Sequence, residues 1–364
     1  MTDVSTKPLV LHVCGSVASE YYEGVSIYYV NECFQEVAKH GTYDNRPCIV
    51  HLDGTWSFPA DLSEEAKAKA ERLTIAQAFA KIAELKPATM VPHMFCLPGM
   101  TTYRSIFDAL SIPIVGNSSV VMGISTNKVQ SKAIVEAAGV PVPPAQLLKK
   151  GDVPHMKRPF ILKPCNEDNS QGITLIKEKT DLQKALDYAF SFDYEVLCES
   201  YIELGRELRV AVLEKDDGSF QMLPCIEYFL TDDSPIRTPQ HKLVTDSRGV
   251  PTTAVVGGRK CPADIDDVLA KKLLNLAVKS HTALGCRDYS IYDVRVDPQG
   301  EPFFIEACLY CSFAPKSVIV AMAGEVGMKQ REVYEMLVDR SIKRKREADE
   351  QAADGAAKRL GMRA

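Results

Sequence analysis

Apolar positions along the chain follow two rhythms, and the change between them falls near residue 116. Before it, residues 9–13 form an apolar run that ends at Cys14-Gly15-Ser16 and predicts a strand. Residues 19–38 carry apolar side chains at helical spacing, and residues 48–52 predict a second strand. Residues 62–85, rich in Ala, Glu and Lys, predict one or two helices. Runs at 90–92 and 114–116 frame a segment containing Leu97-Pro98-Gly99-Met100. This βαβ-like opening predicts a parallel sheet covered by helices. Gly15 offers a place where a phosphate or substrate could approach the backbone.

After residue 116, Ser125-Thr126 can cap a helix through Lys128, Lys132 and Val135. Gly139 stops that helix, and Pro141, Pro143 and Pro144 forbid its continuation. A linker to about residue 157 leads to a strand at 160–163, a polar loop at 166–172 and a partner strand at 173–176. A helix follows at 181–192, then strands at 195–198, 207–213 and 221–229. Residues 231–259 are polar and interrupted by Pro and Gly, too long for a plain connector, as an active-site lid would be. An amphipathic helix at 264–284 ends at Gly285, and another begins near Gly327.

Between those helices, Asp288-Tyr289-Ser290-Ile291-Tyr292-Asp293-Val294-Arg295-Val296-Asp297 and Pro302-Phe303-Phe304-Ile305-Glu306-Ala307-Cys308 read as two strands joined by a turn at Asp297-Pro298-Gln299-Gly300. Asp293 and Glu306 are thirteen positions apart, so a hairpin can set them face to face. Carboxylates that close repel unless a cation lies between them. Oxygen ligands on rigid strands suit magnesium, which usually comes with nucleotide phosphates. Taken alone, the stretch reads more readily as two exposed acids in an ordinary hairpin, and it is the rest of the chain that reverses this.

Composition narrows the classes. A chain of 364 residues has room for two or three domains. With 46% hydrophobic and 25% charged residues it resembles ordinary soluble proteins, and a net charge of −5 gives no reason to expect nucleic acid. No apolar run approaches the ~20 residues of a membrane span, and residues 1–8 do not read as a secretory signal. The eleven cysteines read as reduced thiols of a cytoplasmic protein, mostly buried. Cys308 and Cys311 form a C-x-x-C without the second pair or histidines that zinc requires. Lys343-Arg344-Lys345-Arg346 reads as a solvated helix end or tail.

No P-loop and no dinucleotide fingerprint is present, so nucleotide would bind by another route. Lys163 ends an apolar strand, and the loop with Ser170 and Gly172 follows at once, a pattern suited to phosphate. The Glu199-Ser200-Tyr201-Ile202 stretch precedes Gly205-Arg206-Glu207. A strand that stops and restarts there leaves backbone groups that can read an adenine edge, and Glu207 could bind ribose. Singly, each of these is also a plain surface residue.

The ordered set resembles the ATP-grasp superfamily: Lys128, then Lys163 with its small-residue loop, E-x-Y-I…G-R-E, and the Asp293…Glu306 pair. Within it, residues 9–340 are similar to D-alanine–D-alanine ligases. The phrases Met94-Phe95-Cys96-Leu97-Pro98-Gly99-Met100-Thr101, Ile202-Glu203-Leu204-Gly205-Arg206-Glu207 and Leu309-Tyr310-Cys311-Ser312-Phe313-Ala314-Pro315-Lys316-Ser317-Val318-Ile319 resemble the ligase branch of mycosporine biosynthesis. The resemblance implies an α/β chain, α+β in its ATP-binding part, with the ATP-grasp fold. Its parts would be a Rossmann-like domain (1–115), a central subdomain (116–199), a C-terminal subdomain with metal site and lid (200–340) and a flexible tail (341–364). Nucleotide would lie between two of the subdomains.

It also implies ATP and magnesium as cofactors. Lys128 and Lys163 would meet phosphates, and Asn169, Ser170 and Gly172 would cover them. Glu199, Tyr201 and Ile202 would line the adenine pocket, and Glu207 would take ribose. Lys242 would reach the γ-phosphate from the lid. Asp293 and Glu306 would hold magnesium, one ion or two. Lys316 and Ser317 would meet the carboxylate of the incoming amino acid, and Glu23 would orient the first substrate. By the same analogy, the partners would be small molecules and a second copy in a homodimer.

Two positions depart from the family. Cys308, a soft ligand, stands where the family places a metal-binding Asn. Ile291 stands where dipeptide ligases carry an Arg two residues before the metal Asp. The reading is therefore an ATP-dependent carbon–nitrogen ligase acting on mycosporine-glycine and a small amino acid. The alternatives are a D-alanine–D-alanine ligase, another ATP-grasp amino-acid ligase, and a nucleotide-binding protein whose metal site has decayed.

Overall fold

The computed structural model describes residues 7–359 apart from 38, 40, 240–243, 246–250 and 253–257. They form two compact units: one from the described residues of 1–119, 311–320 and 328–364, the other from those of 120–310 and 321–327.

In chain order the first unit opens with β1 (Leu9–Gly15), α1 (Glu20–Val37), β2 (Asp44–Val50), β3 (Trp56–Ser57), α2 (Glu64–Lys69), α3 (Ile75–Leu85), β4 (Thr89–Pro92), α4 (Leu97–Met100) and α5 (Thr102–Ala109). β1 pairs in parallel with β2 and β4, and β3 closes the sheet antiparallel to β2. After Leu9, every residue of β1 is buried, which is why the strand reads as a continuous apolar run rather than an alternating one. Leu11, Val13, Trp56, Ile82, Phe107 and Ile114 share one core. The run at 114–116 adds a single bridge, from Ile114 to Met90. At Gly15 (φ 98°) the atom that comes close is the Val50 carbonyl oxygen, 1.9 Å from where a Cβ would stand.

The second unit contains α6 (Ser119–Thr126), α7 (Lys128–Ala137), β5 (Ala145–Lys149), β6 (Phe160–Pro164), β7 (Thr174–Ile176), α8 (Leu182–Phe190), β8 (Glu195–Ser200), β9 (Arg206–Glu214), β10 (Phe220–Met222), β11 (Ile226–Tyr228), β12 (Val244–Thr245), β13 (Pro251–Thr252), β14 (Arg259–Lys260), α9 (Asp267–Leu284), β15 (Tyr289–Val296) and β16 (Pro302–Ala307). α10 (Val318–Gly324) and α11 (Gln330–Arg359) follow. The parts of the expected subdomains 116–199 and 200–340 that fall in this unit each build an antiparallel sheet. The orders are β5-β8-β6-β7 and β14-β11-β9-β15-β16, with β10 beside β9. α9 packs on β9 and β15, and α7 on β16.

Three local expectations change. The cap of α7 is Asn127, whose Oδ1 accepts from the backbone N–H groups of Val129 and Gln130 at 3.1 and 2.9 Å. Thr126 instead turns its hydroxyl back to the Met122 carbonyl and closes α6. The run at 221–229 divides at Leu223-Pro224-Cys225 into β10 and β11. Residues 341–359, expected as a flexible tail, continue α11, whose Val333, Tyr334, Leu337 and Val338 are buried.

Replacing Gly15 with Ala should lower unfolding free energy by about 2 kcal/mol or more, because it adds both a clash and a strained backbone. Asn127→Ala should cost about 1 kcal/mol, the usual value of a lost cap. Urea unfolding of both variants checks the order.

Candidate active site

The β15–β16 ladder sets Asp293 directly opposite Glu306, and the β15–β9 ladder sets Asp293 opposite Arg209. Directly opposed residues share a sheet face. Arg209 grips the carboxylate with two bonds, Nε to Oδ1 at 2.5 Å and Nη2 to Oδ2 at 2.8 Å. Arg237, 3.8 Å above the Tyr228 ring, brings Nη1 to 3.4 Å from Oδ2. Cys308 touches the same guanidinium, its Sγ 3.8 Å from Arg209 Nη2. Burial, aided by the Asp293 charge, pushes the Cys308 thiol up and keeps it protonated. One ligand atom each from Asp293, Glu306 and Cys308 fall within 4.8 Å of one another.

A second cluster lies between the sheets. Glu199, on β8, is buried between Lys163 (2.5 Å) and Lys132 (3.1 Å). Burial works against its ionisation, but the two lysines outweigh it and hold the carboxyl below its usual range. Lys132 also donates to the Phe304 carbonyl oxygen at 3.2 Å. Burial brings Lys132 down to about 8, with Glu199 opposing the fall. Lys128, at the start of α7, donates to the Glu167 carbonyl oxygen at 2.5 Å and lies 3.7 Å from Glu306. Glu207 is paired with Arg295 at 2.7 Å, and Arg295 also donates to the Pro235 carbonyl oxygen at 2.9 Å.

These groups line one pocket between the two sheets of the second unit. Lys128, Lys163, Glu199, Tyr201, Ile202 and Glu207 all face it, as do Ser170, Asp293 and Glu306. Asn169 and Gly172 belong to the adjoining loop without lining the cavity. That loop turns through left-handed backbone at Asn169, Ser170 and Gly172 (φ 53°, 59° and 71°). A side chain at Gly172 would meet Pro164 at 2.5 Å, so the loop's close return onto β6 requires glycine there. Tyr310 fixes the loop's start through a 2.7 Å bond to Asp168.

The remaining expected residues lie elsewhere. Glu23, on α1 of the first unit, is partly buried, and its carboxyl is raised by burial against the opposing pull of Arg72. Lys316 is exposed in that unit, and Ser317 lies with its hydroxyl 3.7 Å from Cys311 Sγ. Lys242 falls outside the described residues. In the first unit His12, Cys33 and His93 also converge. Both nitrogens of His12 are engaged there, one with His93 and the other with Asn45 and Tyr334. Burial lowers His12 to about 4, so the group is a neutral core network.

Sequence reasoning missed Arg209, Arg237 and Arg295, and gave Lys132 no role beyond its helix. Only the alternation of β9 carried a usable signal. Arg209 and Glu207 stand two residues apart and therefore share one face.

The donor set fits magnesium. An ionised carboxylate has about four lone-pair sites, and Arg209 bonds each Asp293 oxygen once, so oxygen ligands remain on both acids. The fold and the pocket together define an ATP-grasp ligase. The family model described as "D-ala D-ala ligase C-terminus" matches residues 134–340. A D-alanine–D-alanine ligase of Citrifermentans bemidjiense is 28% identical over 62% of this chain and 69% of its own length. An uncharacterised protein of Sinorhizobium fredii is 29% identical over 66% of this chain and 69% of its own. Among solved structures, the VanG D-Ala:D-Ser ligase of Enterococcus faecalis superposes with a TM-score of 0.75 at 22% identity, covering 92% of this chain and 99% of that one. The D-alanine–D-alanine ligase of Coxiella burnetii gives 0.73 at 17% identity, over 98% and 100%. The chain belongs to the D-alanine–D-alanine ligase family. It is an ATP-dependent carbon–nitrogen ligase that forms ADP and phosphate and works with magnesium.

Nucleotide affinity should fall a few-fold as pH rises through about 8, where Lys132 gives up its proton and leaves Glu199 with Lys163 alone. Fluorescence titration across pH 7–9 measures it, and Lys132→Met should flatten that step.

Proposed function

We propose that this ligase joins mycosporine-glycine to the amine of a small amino acid such as serine, threonine or alanine. The observation that carries the reading is the guanidinium at Asp293. Dipeptide ligases have an arginine on the same strand, two residues before this acid. Here that position is the buried Ile291, and Arg209 reaches Asp293 from the neighbouring strand instead. Lys128, Lys163, Glu207, Asp293 and Glu306 are of the types the family resemblance implies for the nucleotide side, while Cys308 and Ile291 depart from it. This supports a substrate whose reacting oxygen is not a simple carboxylate. The local phrases shared with the mycosporine branch support the same substrate.

Lys128 and Lys163 would draw the triphosphate into the pocket, with Asn169, Ser170 and Gly172 closing over it and Lys242 reaching the γ-phosphate. Tyr201 and Ile202 would flank adenine. Glu207, oriented by Arg295, would accept from ribose hydroxyls. Glu199 would act by holding Lys163 and Lys132 in place rather than by touching adenine itself. Asp293 and Glu306 would hold magnesium, which supplies neutralisation of the charge that develops on the moving phosphoryl group. The ring carbonyl of mycosporine-glycine, conjugated to an amine, takes the phosphoryl group on oxygen and releases ADP. The amino acid, its carboxylate met by Lys316 and Ser317, attacks that carbon through its amine. A C–N bond forms, phosphate departs with the oxygen, and the amine proton is lost. Glu23 would orient the first substrate.

A second reading, D-alanine–D-alanine ligation, is favoured by the names of the curated relatives. ADP release measured for a panel of amino acids, with and without mycosporine-glycine, separates the two. The proposal expects turnover that requires mycosporine-glycine together with an amino acid, and a product with shifted ultraviolet absorbance. D-alanine-dependent ADP release without mycosporine-glycine would contradict it. Glu306→Gln should lower turnover by about 100-fold or more, with an unchanged unfolding midpoint.

A further inference from the structure

We propose that the pocket takes a single divalent ion, and that the guanidinium of Arg209 occupies the place a second ion would need. The proposal rests on reading this pocket as the ATP site. Arg209 is held by the β9–β15 ladder directly opposite Asp293, so its position is set by backbone pairing as well as by its own side-chain bonds. It contacts both Asp293 oxygens and at the same time lies 3.8 Å from Cys308 Sγ. Its charge is therefore already in contact with two of the three groups that converge here. Arginine stays charged at every accessible pH and cannot yield its place by losing a proton.

Cys308 strengthens the case. Its sulfur is buried within the cluster and is a soft ligand that a hard ion does not favour. Arg237 adds a second fixed positive charge 3.4 Å from Asp293 Oδ2. An ion entering on the Cys308 side of the cluster would meet the Arg209 guanidinium and a soft sulfur in place of a hard oxygen ligand. Between Asp293 and Glu306, by contrast, two carboxylates face each other across paired strands. One ion fits there, and Arg209 supplies from the protein the charge that a second ion would otherwise bring to the phosphates.

The test counts Mn2+ bound to the full chain under a saturating non-hydrolysable ATP analogue. Electron paramagnetic resonance reports free Mn2+, and equilibrium dialysis reports bound nucleotide. The wild type should bind one Mn2+ per chain. Cys308→Asn alone, which adds a hard oxygen ligand but leaves the guanidinium, should stay at one. The double variant Arg209→Ala, Cys308→Asn should rise to two. Two ions in the wild type or in Cys308→Asn, or one in a folded double variant, would overturn the inference. Nucleotide bound without any Mn2+ would overturn it together with the assignment of Asp293 and Glu306. Failure to bind the analogue at all would instead remove the ATP reading on which it rests.

Discussion

Two carboxylates on adjacent strands, both largely out of water, stay ionised only if positive charge is supplied close by. Asp293 and Glu306 meet this condition in different ways. Asp293 is gripped by Arg209 and approached by Arg237, while Glu306 has Lys128 at 3.7 Å. Glu199 repeats the arrangement a few residues' breadth away, with Lys163 and Lys132 as its cations. Removing one member of such a buried pair typically costs about 3–5 kcal/mol, because the other is left uncompensated. The two sheets of the second unit are therefore lined by charges that depend on one another. A polyanion entering this pocket exchanges partners with groups already charged and already desolvated, which is the condition for strong electrostatic binding and catalysis.

The chemistry follows from how rigidly those charges are placed. Asp293 and Arg209 are fixed by a ladder that runs unbroken from Tyr289 to Val296 on the β9 side. On the β16 side the register shifts after Asp293. A shift of that kind re-aims side chains locally, as bulges beside functional sites do. Beside these residues lies a loop with three left-handed residues, one of them a glycine that its close return onto β6 requires.

Much of this was legible in the sequence because it is local. The Asp293–Glu306 pairing required only two strand patterns and a turn, and Asp297 indeed closes that turn by accepting from the N–H groups of Gln299 and Glu301. Lys163 at the end of an apolar strand was visible for the same reason. Arg209 was not, because its partner is 84 positions away and depends on which strands become neighbours. The family resemblance places Glu199 in an adenine pocket, and it lines the cavity. Its contacts with Lys132 and Lys163 were not legible, because these come from a helix and a strand far away in sequence. Asn127 was passed over as a cap because Ser125-Thr126 offered the same chemistry two residues earlier, and the short helix ending at Thr126 was not foreseen.

The measurement that bears most directly on the Asp293–Glu306 centre is a crystal structure of the chain with Mg2+ and a non-hydrolysable ATP analogue. A metal ion bridging Asp293 and Glu306, with the phosphate oxygens within hydrogen-bond reach of Lys128 and Lys163, is the predicted result. Phosphates bound away from those lysines, or a metal held by neither acid, would contradict it.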